Sequence, residues 1–258
     1  MSYMKKLAYL GPTYTFSDLC YKTHYKDAYS PLHCNTIEEA FDSIDSFTDA
    51  LIPIENSTDG FVQKTLDLLI QKDLFIIEEQ TIPIKFAFLG DLKYAERVYV
   101  QFKSFGQCKK FIKDHPNLEI VLTSSNQKSY DLYKNKSDSS IIPLHLISNE
   151  KHISNIEDYE NNQTRFILIS KKLKNIGKSA SLVISPKIDR PGLLYDILGI
   201  FKKYDINLTS IISRPTKKVL GTYHFFIETK FINFNPKKFS MLLDIIRESF
   251  NVKLLGIY

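Results

Sequence analysis

The chain has 258 residues, and its hydrophobic fraction of 43% is enough to bury the cores of two domains. No apolar run is long enough to span a membrane and the start lacks a secretory signal, so we expect a cytoplasmic protein without membrane partners. The net charge of +5 is uneven, because residues 171–258 carry 16 basic and 6 acidic side chains. No aromatic and basic recognition motif accompanies this charge, which favours a solvated face over nucleic-acid binding.

From residue 5 to residue 170, short apolar runs alternate with amphipathic stretches, which predicts an α/β fold with mainly parallel sheets. In chain order the segments are KLAYL, FSDLCYKTHY, TIEEAFDSIDSF, ALIPIE, DGFVQKTLDLLIQKD, LFIIEEQTIPIKFAFLG, RVYVQ, FGQCKKFIKDHP, LEIVLTSS, QKSYDLYKN, SSIIPLHLI and TRFILIS. Thr36 and Glu39 form a predicted capping box at the start of the third segment. The polar stretch 148–163 is predicted to be a loop.

After a lysine-rich stretch around Gly177 the pattern restarts. The segments SASLVIS, DRPGLLYDILGIFKKYD, INLTSIIS, GTYHFFIET, NPKKFSMLLDIIRESF and VKLLGIY have the order βαββαβ, which predicts a ferredoxin-like unit. Pro191 is predicted to lie in the first turn of its first helix, and Asn235 with Pro236 is predicted to begin its second helix.

These patterns divide the chain into two predicted domains. We expect a first α/β domain at 1–172, a linker at 173–178 and the ferredoxin-like domain at 179–258. Ferredoxin-like units more often bind or regulate than catalyse, which assigns the chemistry to the first domain by analogy.

Neither cysteine nor histidine spacing points to a cofactor. Cys20, Cys34 and Cys108 contain no C-x-x-C pair, so we expect reduced thiols. The six histidines lack the spacing of metal ligands. We therefore predict neither a metal site nor a cofactor.

Four polar clusters fall close to the places where predicted strands end and helices begin, where free N–H groups and the helix dipole favour anions. The clusters are GPTYTFSD, PIENSTDG, GQC and TSSN. With the Thr-Arg pair that opens TRFILIS, they supply hydroxyls, amides and one cation: Thr15, Ser57, Thr164, Asn56, Gln107 and Arg165. Each cluster alone is also explained by a helix cap or turn. Together they predict a cleft that binds a di-acid and donates a hydrogen bond to a leaving hydroxyl.

Over nearly its whole length the chain resembles the prephenate dehydratases that carry a C-terminal ACT regulatory domain. The resemblance rests on the motifs YLGPTYTFSD, IPIENSTDGFV, NQTRFILI and RPGLLYDILGIFKKYDINLTSIISRPTKKVLGTYHFFIE. It implies a periplasmic-binding-protein-like catalytic domain whose two α/β lobes flank a cleft. It also implies decarboxylative dehydration of prephenate to phenylpyruvate in L-phenylalanine biosynthesis, with phenylalanine as a feedback effector and a homodimer or homotetramer as the assembly.

The resemblance also implies roles for individual residues. Thr164 corresponds to the catalytic threonine of the family. The residues expected to bind substrate are Thr15, Asn56, Ser57, Gln107, Arg165 and Phe166. The residues expected to bind phenylalanine at a subunit interface are Gly192, Leu193, Leu194, Asn207, Leu208, Ser213 and Arg214.

Several positions depart from the family pattern, including the run 100–105, where none of the family's residues is kept, and Leu193, which replaces an alanine. Tyr14 replaces a glycine in the first motif, Val100 stands where a serine is expected near the substrate, and Ile212 replaces an acidic residue of the ACT domain. These departures leave alternatives open. One is an arogenate dehydratase or another prephenate-acting lyase, although the retained Thr164 disfavours a decarboxylase that keeps the hydroxyl. The other is an amino-acid-binding sensor whose first domain has lost activity.

Overall fold

The computed structural model describes residues 4–188, 190–217 and 219–258. The described residues form two compact units. The first unit comprises residues 4–42, 51–62 and 80–166, and the second comprises residues 43–50, 63–79 and the described part of 167–258.

Strands and helices alternate through the first two thirds of the chain, which confirms the predicted α/β fold. Their order is β1 (Lys5–Leu10), α1 (Phe16–His24), β2 (Tyr29–Cys34), α2 (Ile37–Asp42), β3 (Thr48–Asn56), β4 (Gly60–Phe61), α3 (Gln63–Gln71), β5 (Phe75–Pro83), β6 (Phe86–Leu89), β7 (Arg97–Gln101), α4 (Phe102–Gln107), α5 (Lys109–Asp114), β8 (Glu119–Thr123), α6 (Asn126–Leu132), β9 (Asp138–Pro143), a 3₁₀ turn (Leu144–Leu146), β10 (His152–Ser154) and β11 (Gln163–Ser170).

These strands form two sheets. The first has the order β2-β1-β3-β11-β5, with the short β4 paired to β3, and β1 runs parallel to β2. The second has the order β10-β6-β9-β7-β8, in which β7 is parallel to both of its neighbours and β6 is antiparallel to both of its own. The prediction of mainly parallel pairing is therefore only partly right for the second sheet.

Two local predictions in this part of the chain are wrong. The stretch 148–163 contains β10, which pairs with β6, and the first residue of β11. The single helix expected around Gln107 is two short helices, α4 and α5, separated at Cys108. Helix α4 also begins before the predicted point, because the Gln101 side chain accepts the N–H groups of Lys103 and Ser104, at 2.8 and 3.3 Å.

The C-terminal part folds as the predicted βαββαβ unit. Its elements are β12 (Ser179–Pro186), α7 (Leu193–Lys203), β13 (Leu208–Pro215), β14 (Tyr223–Lys230), α8 (Pro236–Ser249) and β15 (Phe250–Ile257). The sheet is antiparallel in the order β13-β14-β12-β15, and α7 and α8 bury Ile197, Phe201 and Leu242 with its strands. Both helices can cover the sheet because their apolar residues recur at helical spacing.

The two helix starts of this unit differ in how well they were predicted. Asn235 caps α8 by accepting the N–H of Lys238 at 3.1 Å, and Pro236 takes the first helical position, as expected. Helix α7 begins only at Leu193, so Pro191 precedes the helix instead of lying in its first turn. The cause is Gly192, whose φ of 78° lies in the left-handed region and delays the helix. Asp189, the first residue of that predicted segment, lies outside the described residues.

None of the described helices is long and apolar enough to cross a membrane. Cys20, Cys34 and Cys108 are buried thiols, and none of the three forms a disulfide. Burial raises the pKa of the Cys108 thiol, which keeps it protonated and unreactive although it follows Gln107 directly.

Candidate active site

The PIENSTDG motif forms a tight turn between β3 and β4 that fixes the side-chain amide of Asn56. The amide oxygen accepts the N–H of Thr58 at 2.9 Å, the hydroxyl of Thr58 at 2.6 Å and the N–H of Asp59 at 3.1 Å. Since all three groups can donate here, the oxygen of Asn56 must face them. The NH₂ group therefore points the opposite way, away from the turn.

On that other side, the NH₂ group of Asn56 meets the start of β11. It donates to the hydroxyl oxygen of Thr164 at 2.9 Å, to the side-chain oxygen of Asn162 at 3.0 Å and to the carbonyl of Gln163 at 3.1 Å. Thr164 thus accepts this bond, and its own hydroxyl hydrogen has to point elsewhere. No acceptor for that hydrogen is found among the residues that the structure describes. The hydroxyl of Thr164 is half-buried and can donate a hydrogen bond to a bound substrate.

Ser57 and Gln107 belong to the same hydrogen-bond network. Ser57 donates its N–H to the carbonyl of Gln163 and accepts the N–H of Gln163 on its hydroxyl, both at 2.9 Å. Asn162, which is 1% exposed, donates to the side-chain oxygen of Gln107 at 3.1 Å. Four of the expected residues, Asn56, Ser57, Gln107 and Thr164, are therefore brought together, and Asn162 links them.

Asn162 is not among the site residues predicted from the sequence. The available signal was its place in NNQTRF, where an amide stands directly before a strand and two residues ahead of the threonine. Because a buried side-chain amide needs partners for both its oxygen and its NH₂ group, an asparagine at such a point is typical of a network.

Asp158 holds Gln107 from the backbone side. Its N–H donates to the carbonyl of Gln107 at 2.7 Å, and its carboxylate accepts the N–H groups of Lys109 and Lys110 at 3.0 and 2.8 Å. The carboxylate therefore caps the start of α5, just beyond Gln107. Gln107 ends α4 and does not open a helix as the sequence suggested, so its side chain and not a helix N-terminus faces the network.

Arg165 is paired with a carboxylate of the chain itself. Its Nη2 lies 3.0 Å and its Nε 3.2 Å from Oε2 of Glu55, and its guanidinium lies 5.7 Å from the ring centroid of Phe61. The Arg165 side chain is 19% exposed. Glu55 and Phe61 flank the Asn56 turn, so the pair ties that turn to β11. The expected role of Arg165 as an anchor for a substrate carboxylate stays a prediction.

Three other positions differ from their expected surroundings. Phe166 is 2% exposed and lies in the interior, where it can affect the network only by packing and not by contact with a substrate. Thr15 caps α1, accepting the N–H of Asp18 and donating to the carbonyl of Leu10, and among the described residues no hydrogen bond joins it to the Asn56 network. Val100, expected near the substrate, is fully buried in the core of the second sheet, because side chains of β7 are covered there by apolar neighbours.

The turn before Thr15 holds Tyr14 in a left-handed backbone conformation, which glycine adopts more readily than tyrosine. Tyr14 has a φ of 73°, and its N–H donates to the Asp18 carboxylate at 2.9 Å. Asp18 also accepts from the Tyr9 hydroxyl and pairs with Lys22. Burial by itself would raise the pKa of Asp18, but these donors outweigh it and lower the pKa, so the carboxylate stays ionised and holds the turn.

The chemistry available at the network is hydrogen bonding by neutral groups. Its members are hydroxyls, amides and backbone N–H groups, with the Arg165–Glu55 pair beside them. Within the described part of the chain, no group of three His, Cys, Asp or Glu side chains lies together in a way that could hold a metal. Such a site can orient a substrate and stabilise a departing oxygen, while the substrate supplies the electrons.

The expected phenylalanine-binding residues lie at two ends of the ferredoxin-like unit. Gly192 begins α7 at the end where Arg214 pairs in register with His224. Leu208 pairs with Thr229 near the other end. The 11-residue helix α7 runs from one end to the other, a distance of about 16 Å. One chain therefore does not bring Gly192 and Asn207 together, so a site that contains both needs residues of two chains. The expected site at a subunit interface stays a prediction.

The Asn207 end and the Gly192 end of the ferredoxin-like unit present different surfaces. At the Asn207 end, a groove of about 970 Å³ is lined by Asn207, Leu208 and the clustered rings of Phe231, Phe234 and Phe239. At the Gly192 end, Leu193 is buried, whereas Leu194 and Ser213 reach the surface.

Arg214 does not face solvent as a free cation. Its Nε donates to Oδ1 of Asp67 on α3 at 2.8 Å, and both side chains are 14% exposed. Lys217 reaches the other carboxylate oxygen at 2.9 Å.

Comparison with known proteins identifies similar sequences and folds. Residues 7–174 match the model of the prephenate dehydratase family, and residues 182–233 match that of the ACT domain. A prephenate dehydratase from Methanocaldococcus jannaschii is 35% identical, over 98% of each chain. A prephenate dehydratase structure from Staphylococcus aureus superposes with a TM-score of 0.87 at 28% identity, covering 98% of this chain and 99% of that chain. One from Arthrobacter aurescens, in complex with L-Phe, has a TM-score of 0.81 at 26% identity and covers 97% and 89%.

Proposed function

The chain belongs to the prephenate dehydratase family and carries an ACT domain, and from this premise we propose that it converts prephenate to phenylpyruvate, with Thr164 as the catalytic hydroxyl. It is then a carbon–oxygen lyase that supplies L-phenylalanine biosynthesis and needs no cofactor.

The reaction asks the protein for little beyond orientation and one hydrogen bond. The bond from the ring to its carboxylate breaks, and carbon dioxide leaves. The freed electron pair enters the ring, the carbon–oxygen bond on the far side of the ring breaks, and hydroxide departs as the ring becomes aromatic. A solvent proton converts the hydroxide to water. Charge therefore develops on the departing oxygen, and a donor aimed at that oxygen binds the transition state more tightly than the substrate.

The observation that carries the proposal is the fixed direction of the Asn56–Thr164 hydrogen bond. Because the oxygen of Asn56 is held by Thr58 and Asp59, its NH₂ group occupies the acceptor side of Thr164. The hydroxyl hydrogen of Thr164 is thereby directed away from the protein network. A threonine is too weak an acid to protonate the substrate beforehand, so its contribution is a hydrogen bond that strengthens as hydroxide leaves.

The remaining residues of the network serve binding in this proposal. Ser57 and Gln107 belong to the same network as Thr164, and because the side-chain oxygen of Gln107 accepts from Asn162, its NH₂ group is the one that can donate to substrate. Arg165, paired with Glu55, lies near the same strand mouth. Prephenate carries two carboxylates, so several neutral donors with one cation suit it. Thr15 and Phe166 shape the site less directly, through the cap of α1 and the core under β11.

The direct test is product analysis with purified protein and two substrates. Phenylpyruvate formed from prephenate supports the proposal, and phenylalanine formed faster from arogenate identifies an arogenate dehydratase instead. A product that has lost carbon dioxide but kept the hydroxyl identifies a decarboxylase. Phenylalanine binding without turnover of either compound identifies a sensor and contradicts the proposal.

Phenylalanine is proposed to regulate the enzyme from a site built by two chains. Gly192 and Leu194 of one chain and Asn207 and Leu208 of its partner then complete one site, which accounts for their separation within a single chain. The N–H groups at the start of α7 suit the effector carboxylate, and the aromatic groove at Asn207 suits its ring. The proposed assembly is a homodimer or a tetramer made from it.

Calorimetry and sedimentation test this regulatory site. Gly192→Val should abolish the heat of phenylalanine binding, because its φ of 78° strains any β-branched residue. Gly199→Ala is the matched control, since Gly199 lies inside α7 with open space at its Cβ and should bind normally. A wild-type protein that sediments as a monomer with phenylalanine bound would exclude the two-chain site.

A cytoplasmic location also remains a proposal. Its support is the set of three buried thiols, none of them in a disulfide, which is typical of proteins kept in a reducing compartment. Cell fractionation tests it.

A further inference from the structure

Side chains of the ferredoxin-like unit hold helix α3 by hydrogen bonds and ion pairs. Asp67, in the middle of α3, accepts Nε of Arg214 at 2.8 Å and Nζ of Lys217 at 2.9 Å. Asp67 and Arg214 are each 14% exposed, so water screens this pair far less than an exposed one. Burial alone would raise the pKa of Asp67, yet the two cations lower it, and the carboxylate stays charged.

A second fastening holds the C-terminal end of the same helix. The ammonium group of Lys253, from β15, donates to the main-chain carbonyls of Leu69 at 3.0 Å and Ile70 at 3.3 Å, and to that of Lys72. Carbonyls at a helix C-terminus lack intrahelical partners and carry partial negative charge, so the half-buried ammonium group of Lys253 stabilises them. With both fastenings, α3 is constrained to follow the ferredoxin-like unit.

The N-terminal end of α3 leads directly into the Asn56 turn. Only Val62 separates β4 from α3, and its own N–H donates to the carbonyl of Ile54 at 2.8 Å. In the hairpin formed by β3 and β4, Glu55 lies opposite Phe61 and Asn56 lies opposite Gly60. The hairpin that carries Asn56 is thus joined to α3 by a single residue of chain.

We propose that Asp67 is a positioning residue that links the phenylalanine site at the Gly192 end of the ferredoxin-like unit to the Asn56–Thr164 hydrogen bond through α3. The inference rests on the proposed function and adds the route by which the effector acts. Phenylalanine binding at this end, where β13 carries Arg214, changes the strength or direction of the Arg214–Asp67 pair. Helix α3 shifts with it, and the hairpin carries Asn56 out of line with Thr164. No group on this route needs to contact the substrate.

The variant Asp67→Asn tests the route by separating effector binding from effector action. In the wild type, phenylalanine should lower kcat/KM for prephenate by at least about fivefold, the lower end of common allosteric couplings. In Asp67→Asn that effect should fall below about twofold, while calorimetry still finds phenylalanine bound within about threefold of wild-type affinity. Asp67→Glu keeps the charge and should restore part of the response.

Asp73→Asn is the matched control. Asp73 follows α3, is fully exposed and lies 3.7 Å from Lys253, so the substitution makes the same charge change without touching Arg214. It should respond to phenylalanine as the wild type does. If Asp67 is only structural, Asp67→Asn should have a lower melting temperature than wild type and the same ratio of rates with and without phenylalanine. That result overturns the proposal.

Amide hydrogen exchange gives a readout that does not depend on turnover. Phenylalanine should change exchange across residues 54–62 in the wild type and leave it unchanged in Asp67→Asn. Equal changes in both proteins, or none in a wild type that binds phenylalanine, overturn the route even if prephenate is turned over. Lack of prephenate turnover by a wild type whose hairpin still responds contradicts the proposed enzyme and supports the route.

Discussion

Replacing Asn56 with Asp changes one NH₂ group for an oxygen and so tests the direction of the Thr164 hydrogen bond. The new oxygen would face the oxygens of Thr164, Asn162 and Gln163, which now accept at 2.9, 3.0 and 3.1 Å. Thr164 can relieve its share of this repulsion only by rotating its hydroxyl hydrogen toward the new carboxylate. The hydrogen intended for the departing oxygen is then lost.

The size of the effect follows from the groups that change. Loss of one preorganised donor to a developing oxyanion commonly costs about 10²–10³ in kcat, which is about 2.7–4 kcal/mol of barrier. The side-chain oxygen of buried Asn162 also loses its shorter hydrogen bond and keeps only the one from the Ser57 hydroxyl at 3.4 Å, which costs up to about 1–3 kcal/mol of stability. Asn56→Asp should therefore lower kcat at least a hundredfold, by this estimate of about 10², and lower the melting temperature.

Steady-state kinetics with prephenate, together with thermal unfolding, measure both effects. Thr58→Val is the matched control, because it removes one of the donors to the Asn56 oxygen and leaves the N–H groups of Thr58 and Asp59 in place. Its kcat should fall less than about tenfold. If Asn56→Asp keeps kcat within threefold of the control while its melting temperature falls, the orientation argument is refuted.

Two further predictions concern charged side chains. Arg165→Leu should raise KM more than it lowers kcat if the guanidinium holds a substrate carboxylate. Glu55→Gln keeps the cation and should leave KM nearly unchanged. Equal effects in both variants would show that Arg165 is only a structural partner of Glu55. Because the pKa of Asp67 is lowered by its cations, the stability it contributes is complete above its unfolded pKa of about 3.9 and is lost as pH falls through the folded value. The melting-temperature advantage of wild type over Asp67→Asn should accordingly shrink from pH 7 to pH 3, and a constant difference would contradict the assigned pairing.

Local sequence signals predicted the parts of the fold that local physics decides. The alternation of apolar runs gave the strands and helices, and Asn235 with Pro236 marked the start of α8 because a side-chain cap and a fixed φ act within one turn. Asn56, Ser57 and Thr164 could be placed together because each lies at a strand end next to a polar motif.

The other features depend on partners that are distant along the chain. Arg214 and Asp67 are 147 positions apart, and neither sequence neighbourhood shows that the other supplies its counter-charge. Gln107 was placed wrongly because glutamine is not a usual N-cap, so the role of Gln101 in starting α4 early left no recognisable signal. The positive φ of Tyr14 could be suspected only from the glycine that the family carries there.

The most direct test of the account is the comparison of Thr164→Val with Thr164→Ser. Valine keeps the branched shape, and Asn56 retains Asn162 and the Gln163 carbonyl as acceptors, so the fold and the melting temperature should be preserved. The account predicts that kcat for prephenate falls at least about a hundredfold in Thr164→Val with KM little changed, and by less than about tenfold in Thr164→Ser, which keeps the hydroxyl. A Thr164→Val enzyme that turns prephenate over at nearly the wild-type rate would contradict the central claim that this hydroxyl assists the departure of hydroxide.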